Sequence, residues 1–273
     1  MLSNRNQDAW FASAFTILEL IYHSAVRSVR NAHGNAMLGL VLNIVQTMML
    51  VGVFYAMYYF IGFSQNGIRG DFLLYLMTGV FLFMCHVKAM GAVVASEGPT
   101  SAMMKHAPMN TIVSIGAAAL GELYVQILSM IVVLFLYHAA WKPLVIHDPL
   151  GVLLMMLLSW FSGVALGTIF LAAKPWAPKF VNLLSQIYSR TNMFASGKMF
   201  VANSLPGFML PYFNWNPLFH TIDQARGFAF LNYNPHYTNT IYPLAITFAA
   251  LLIGLMGEFY TRRRASLSWG AKA

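Results

Sequence analysis

Between Val181 and Ser204 the chain carries Asn182, Ser185, Gln186, Ser189, Arg190 and Ser196, mostly at i, i+3, i+4 and i+7 spacings. Coiled as a helix, the stretch gathers these groups on one side and puts Leu183, Ile187 and Phe194 on the other. Amides, hydroxyls and a guanidinium in a row offer hydrogen bonds to a hydroxyl-rich ligand. They do not offer a nucleophile and its base. The stretch is long enough to cross a bilayer at about 1.5 Å per residue. Ionisable groups in a spanning helix are costly, so they usually face a bundle interior or a water-filled path. A second polar set, Glu122, Gln126 and Ser129, shares a helical face with Ala118 and Ala119, where small residues permit close helix contact. Glu122 and Arg190 each lie about ten residues into their segments, or about 15 Å by helical rise. Two readings stay open for them: a structural ion pair, or polar groups lining a route.

Nothing in the sequence assembles a catalytic centre. There is no G-x-x-x-x-G-K-[ST] run, so ATP is not expected to bind this chain through a P-loop. H-E-x-x-H, G-x-S-x-G and C-x-x-C are missing too. The eight histidines are scattered singly, which argues against a metal site, and His86 beside Cys85 reads as packing. Glu122 and Glu258 are the acids within or at the edge of apolar segments, and Glu258 abuts the basic run Arg262 to Arg264. No catalytic residue, metal or cofactor is therefore assigned to the chain. The single cysteine excludes an internal disulfide.

The elements that position the polar groups are membrane helices. Charged residues make up 9% of the chain against the roughly 25% usual in soluble domains, and apolar residues make up 59%. With a mean hydropathy of +0.63, the composition predicts an all-α integral membrane protein folded as one domain. A net charge of +8 is read as the positive-inside bias of membrane loops, not as a nucleic-acid surface. Residues 10–30 put Phe11, Phe15, Leu18, Tyr22, Ala25 and Val29 on one helical face and Ser13, Thr16, Glu19, His23, Arg27 and Arg30 on the other, the pattern of an interfacial helix lying on the membrane. Spans are expected at 37–61, 72–95, 112–137, 150–172, 181–204 and 241–260. Charged and polar residues run throughout Met1 to Gly34, so no signal peptide is expected. With the amino terminus inside, eleven Lys and Arg fall on the cytoplasmic side, and only Arg69, Lys142 and Arg226 on the other. Both termini are then cytoplasmic.

Two connections carry their own signals. Residues 96–110 contain Glu97, Thr100, Lys105 and His106, with prolines at 99 and 108 to bound a short helix. Such a turn is either a handle for another protein or simply solvated. Residues 205–240 are too apolar for a solvated loop and too broken by proline to span, which predicts a re-entrant outer segment. Asn216 and Pro217 mark a helix start there, followed by Phe219, His220, Asp223 and Arg226, the last two at i, i+3. With Trp215 these residues form either an outer gate or an aromatic belt. Tyr55, Tyr58 and Tyr59 leave the same choice, sugar stacking or an interfacial belt. Lys198, on the other side of the wheel from Asn182, is expected to snorkel to the outer interface.

Taken together, Asp71 to Val80 at the opening of the second span and the run from Trp215 to His220 resemble the permease subunits of ABC-2 type polysaccharide exporters. These are the proteins that export capsular polysaccharide and O-antigen. Ser196, Gly197, Leu205, Pro206 and Arg226 add to the likeness, which covers nearly the whole chain. The resemblance implies a homodimeric channel in the bacterial inner membrane, moving a lipid-linked polysaccharide. It also implies two copies of an ABC ATPase subunit, which binds the ATP and Mg, and partners in the periplasm and outer membrane. Coupling would run through the interfacial helix (Arg27, Arg30) and the turn holding Glu97, Thr100, Lys105 and His106. The substrate pathway would take Glu122, Gln126, Asn182, Gln186, Arg190, Tyr55, Tyr58 and Tyr59. Alternatives are an exporter of a small lipophilic compound or lipid, and a proton-coupled secondary transporter using Glu122.

Overall fold

A computed structural model describes residues 19–26, 36–61, 70–98 and 111–270, and every regular element in them is helical. Residues 19–26 form α1. It is followed by α2 (Ala36–Ile61), α3 (Phe72–Ala95), α4 (Thr111–Ala140), α5 (Pro149–Ala173) and α6 (Pro178–Ala195). A 3-10 turn at Ala202–Ser204 leads to α7 (Leu210–Phe213), α8 (Pro217–Ala229) and the long α9 (Ile241–Gly270). Among the described residues, five helices are long and apolar enough to cross a membrane: α2, α3, α4, α5 and the Ile241–Arg264 part of α9. An all-α integral membrane protein is what the composition predicts.

Polar residues fix the helix starts. Asp71 caps α3 by accepting from the Leu73 and Leu74 amides at 2.9 and 3.3 Å. Asp148 caps α5 through Gly151 N–H, with Pro149 at the first position, where its missing N–H costs nothing. At the same end Tyr137 donates to Asp71 at 2.6 Å, and the amides of His147 and Asp148 bond the carbonyls of Ala229 and Phe228. The opposite end holds Lys174, Lys179, Arg262, Arg263 and Arg264 and is called the basic end below.

Helix α3 is the centre of the bundle, buried over most of Leu74 to His86. It packs on α5, α4, α2 and α8, and α5 packs in turn on α9. Lipid gives helices little hydrophobic reason to associate, so close packing and hydrogen bonds carry the contact. Gly163 is where this is tightest. A Cβ there would land on the His86 carbonyl, so only glycine lets α5 approach α3 this closely. The outer faces of α2 and α9 are apolar and exposed (Leu38, Leu42, Met49; Phe248, Leu252, Met256), as lipid-facing surfaces should be.

One span departs from expectation. The helix expected over 181–204 starts at Pro178 and stops at Ala195, and the chain breaks at Gly197 with φ +72°. The ring of Phe219 occupies the space a Cβ would take at Gly197, so the break is held from outside by α8. Residues 196–240 then fold as short pieces, with α8 packed against α5 and α3.

Candidate functional site

Helix α6 stands apart from the other long helices. Its apolar residues Phe180, Leu183, Ile187 and Phe194 are exposed, and only Val181 and Asn192 are buried. Side-chain hydrogen bonds fasten it at two points. Tyr188 meets His86 Nε2 at 3.0 Å, and Asn192 Oδ1 accepts from Asn216 at 2.7 Å. The first bond has a fixed direction. Ser162 spends its proton on the Ser159 carbonyl, so His86 Nδ1 carries a hydrogen toward Ser162 and Nε2 accepts from Tyr188. His86 thus serves as an anchor inside the bundle.

Between α6 and α3 lies a groove of about 400 Å³. Val87, Met90, Gly91, Val94 and Ala95 of α3 form an apolar wall. Asn182, Ser185, Gln186, Ser189 and Arg190 of α6 form the polar wall, and Lys174 closes the basic end. Ser185 and Ser189 donate back to the carbonyls of Asn182 and Ser185, leaving hydroxyl lone pairs on the groove side chain. Lys174 Nζ bonds the Val94 carbonyl at 2.8 Å. The polar face expected from spacing is therefore real for Asn182 to Arg190. Ser196 is buried beyond the helix end and takes no part in it.

Glu122 does not face this groove. It accepts from Gln126 at 2.7 Å, Gln126 reaches Asn43 at 3.3 Å, and Asn43 donates to Ser129 at 3.0 Å. This network joins α4 to α2, with Thr47 bonded back to the Asn43 carbonyl. Glu122 and Arg190 form no ion pair among the described residues. Equal depth on two helices did not make them neighbours, because α3 lies between α4 and α6.

The residues expected to form an outer gate act as a staple. Asn216 caps α8 through Leu218 N–H and also holds Asn192 and the Ala195 carbonyl. Arg226, fully buried, donates to the carbonyls of Gly197, Phe200 and Lys198 at 2.8, 2.6 and 2.5 Å, with its guanidinium 4.1 Å over the Tyr75 ring. Asp223 does not pair with Arg226. It accepts from Ala202 N–H, Tyr233 and Thr238. Phe219 packs on Phe200 and Phe213. His220 donates from Nε2 to the Asn214 carbonyl at 2.8 Å and accepts the Asn239 amide at Nδ1. Trp215 stays 59% exposed, and Pro217 opens α8. Of the three tyrosines, Tyr59 is exposed, Tyr55 rests on Phe72, and Tyr58 donates to the Met199 carbonyl.

Lys198 corrects the sequence reading most sharply. It does not snorkel outward but is fully buried, with Nζ 3.6 Å from the Phe83 ring centre and 4.7 Å from that of Phe54. Phe83 is near the middle of the twenty-four-residue α3, so the ammonium sits deep in the bundle. Lys198 follows the helix break at Gly197 and so no longer keeps the position on the α6 wheel that the sequence reading gave it. Sequence reasoning also missed Lys174, Asn43 and the Tyr188–His86 contact. An Asn or His inside an apolar run needs a partner, and that demand was the available signal.

Arg27, Arg30, Thr100, Lys105 and His106 lie outside the described residues. Glu97 is exposed just past α3. In α1 the side chain of Ile21 lies against Gly116 of α4, while Tyr22 is exposed.

No curated protein sequence matches the chain. The sequence model of the ABC-2 type transporter family matches residues 19–230. That match covers most of the chain and agrees with five apolar spanning helices, so this multi-pass membrane protein belongs to the ABC-2 type transporter family and is a transport subunit.

Proposed function

We propose that the chain is the membrane subunit of an ATP-driven exporter that moves a lipid-linked capsular or other cell-surface polysaccharide across a bacterial inner membrane. One observation carries this reading. The polar side of α6, a helix about 27 Å long by rise, borders the open groove beside α3, with Asn182, Gln186 and Arg190 exposed. A polar helix face at membrane depth needs either protein or a hydrophilic cargo against it. Asn182, Gln186 and Arg190 offer hydroxyl-rich cargo both donors and acceptors, whereas a small lipophilic cargo would favour an apolar face.

In this reading a second copy of the chain faces α6 and the two enclose the route. Two ABC ATPase subunits, binding ATP and Mg, dock at the basic end, which is cytoplasmic together with both termini. Coupling passes through Arg27, Arg30, Glu97, Thr100, Lys105 and His106. Glu122 and Gln126 support the α2–α4 wall of the route, and Tyr55 and Tyr59 stand near its outer end. Periplasmic and outer-membrane proteins receive the polymer. Deleting the gene is the direct test: surface polysaccharide should vanish while polymer accumulates inside. Unchanged capsule and O-antigen would overturn the substrate assignment.

A further inference from the structure

Lys198 is an ammonium that the fold buries without an anion. Among the described residues it pairs with no acid, and its Nζ makes no hydrogen bond. The loop carbonyls beside it accept from other groups: Arg226 donates to those of Gly197, Lys198 and Phe200, and Tyr58 to that of Met199. Asp223, the acid of α8, accepts from Ala202 N–H, Tyr233 and Thr238 instead. The side chain is placed at two points along α3. Its backbone lies on Gly79, where an added Cβ would stand 2.9 Å from the Lys198 Cα and 2.8 Å from its carbonyl oxygen. Its Nζ lies 3.6 Å from the centre of the Phe83 ring. By helical rise Gly79 is about 10 Å from the Phe72 end of α3, and Phe83 about 16 Å. The ammonium therefore sits roughly halfway through a hydrocarbon core of about 30 Å.

Two ring contacts return less than the burial of an ammonium costs, so stability does not account for the residue. A charge at this depth does feel the potential across the membrane. Opposing forces act on the loop that carries it. Arg226 and Tyr58 hold the loop in, while the ammonium gains water by leaving. The chain just beyond has room to follow, since Ser204, Pro206, Gly207 and Phe208 are exposed. We infer that residues 197–202 form a voltage-sensitive latch on the end of α6, with Lys198 as its gating charge. A potential negative at the basic end draws the cation inward and keeps the latch shut; loss of that potential releases the loop toward the Phe72 end. Moving one charge through half the field changes the ratio of shut to released about sevenfold per 100 mV. That the resting potential of a cell keeps the latch shut rests on the orientation proposed above. The response to voltage does not.

The test uses the full-length chain in liposomes, with valinomycin and a potassium gradient setting the potential. In a Cys85→Ser background, the buried position 201 is changed by Val201→Cys and probed with a membrane-impermeant maleimide added outside. Only copies with the loop on the outside report. Labelling should be slow with the interior negative and should quicken by the factor above as the potential is reversed. Lys198→Met should abolish the dependence on voltage, whatever it does to the rate. Lys198→Arg, which keeps the charge, should retain it. Phe208→Cys, at an exposed position, should label at one rate under all potentials. A loop that merely frays would alter the rate and not its slope with voltage. Labelling of Val201→Cys that ignores the potential, no labelling at either sign, a slope that survives Lys198→Met, or one lost in Lys198→Arg would each overturn the latch. No polymer or ATPase is present, so a negative result leaves the export reading standing. A voltage slope combined with unchanged surface polymer on gene deletion would keep the latch and remove the export reading.

Discussion

Arg226 and Lys198 are both buried cations, yet only Arg226 finds acceptors, three carbonyls of the loop that follows α6. Lysine in its place has one nitrogen and cannot reach all three, so Arg226→Lys is not conservative here. Arg226→Ala leaves those carbonyls buried without donors and should cost about 1–3 kcal/mol for each that stays unsatisfied. Thermal unfolding in detergent should rank wild type above Arg226→Lys and Arg226→Lys above Arg226→Ala. Lys198 predicts the opposite sign. Among the described residues its Nζ has no hydrogen-bond partner and meets two aromatic faces. Cation–π contact returns about 2 kcal/mol when desolvated, less than the several kcal/mol that burying an ammonium costs. Lys198→Met keeps the volume and removes the charge, and should raise the unfolding temperature. A lowered one would mean that the ammonium is bonded and needed.

At the scale of elements, the contrast is between a tight α3–α5 pair and a loosely held α6. Gly163→Ala forces a Cβ onto the His86 carbonyl. Backbone cannot step aside as a side chain can, so the helices must part, at about 1–3 kcal/mol by the usual scale of overpacking. The Tyr188–His86 bond is the other kind of contact, a single tether. Tyr188→Phe keeps the ring and deletes only the donor, so stability should fall by about 1 kcal/mol. Hydrogen exchange should quicken in α6 while α3 and α5 stay protected; uniform quickening would show that the tether is part of the core. The five apolar spans were legible because about twenty apolar residues are needed to cross a bilayer. The end of α6 was not, since the break falls at Gly197, whose left-handed backbone and close neighbour Phe219, twenty-odd residues on, both demand a glycine. The polar stripe from Asn182 to Arg190 was readable from spacing alone, but its partner was not. Depth along a helix places Glu122 and Arg190 at one level, and nothing in sequence says which helix stands between them.

For the whole molecule, the open question is what covers α6. Helices α2 and α9 expose apolar residues that lipid satisfies, whereas α6 exposes Asn182, Gln186 and Arg190 beside Leu183, Leu184 and Ile187. Lipid on all sides of that helix would leave the polar groups without partners at several kcal/mol each. Protein on one flank and cargo on the other would resolve the conflict, and in the proposed function a second copy of the chain supplies the protein by symmetry. The apolar residues of α6 would then meet the partner copy while the polar row faces the enclosed route. Cys85 is fully buried, so a Cys85→Ser background leaves the surface free for single labels. In such a background Leu183→Cys or Ile187→Cys should crosslink two chains in native membranes, and Leu252→Cys on the lipid side of α9 should not. A dimer band from all three positions would indicate random collision. A band from α9 alone would move the contact between copies to the other side of the bundle and leave the row from Asn182 to Arg190 without an enclosing wall.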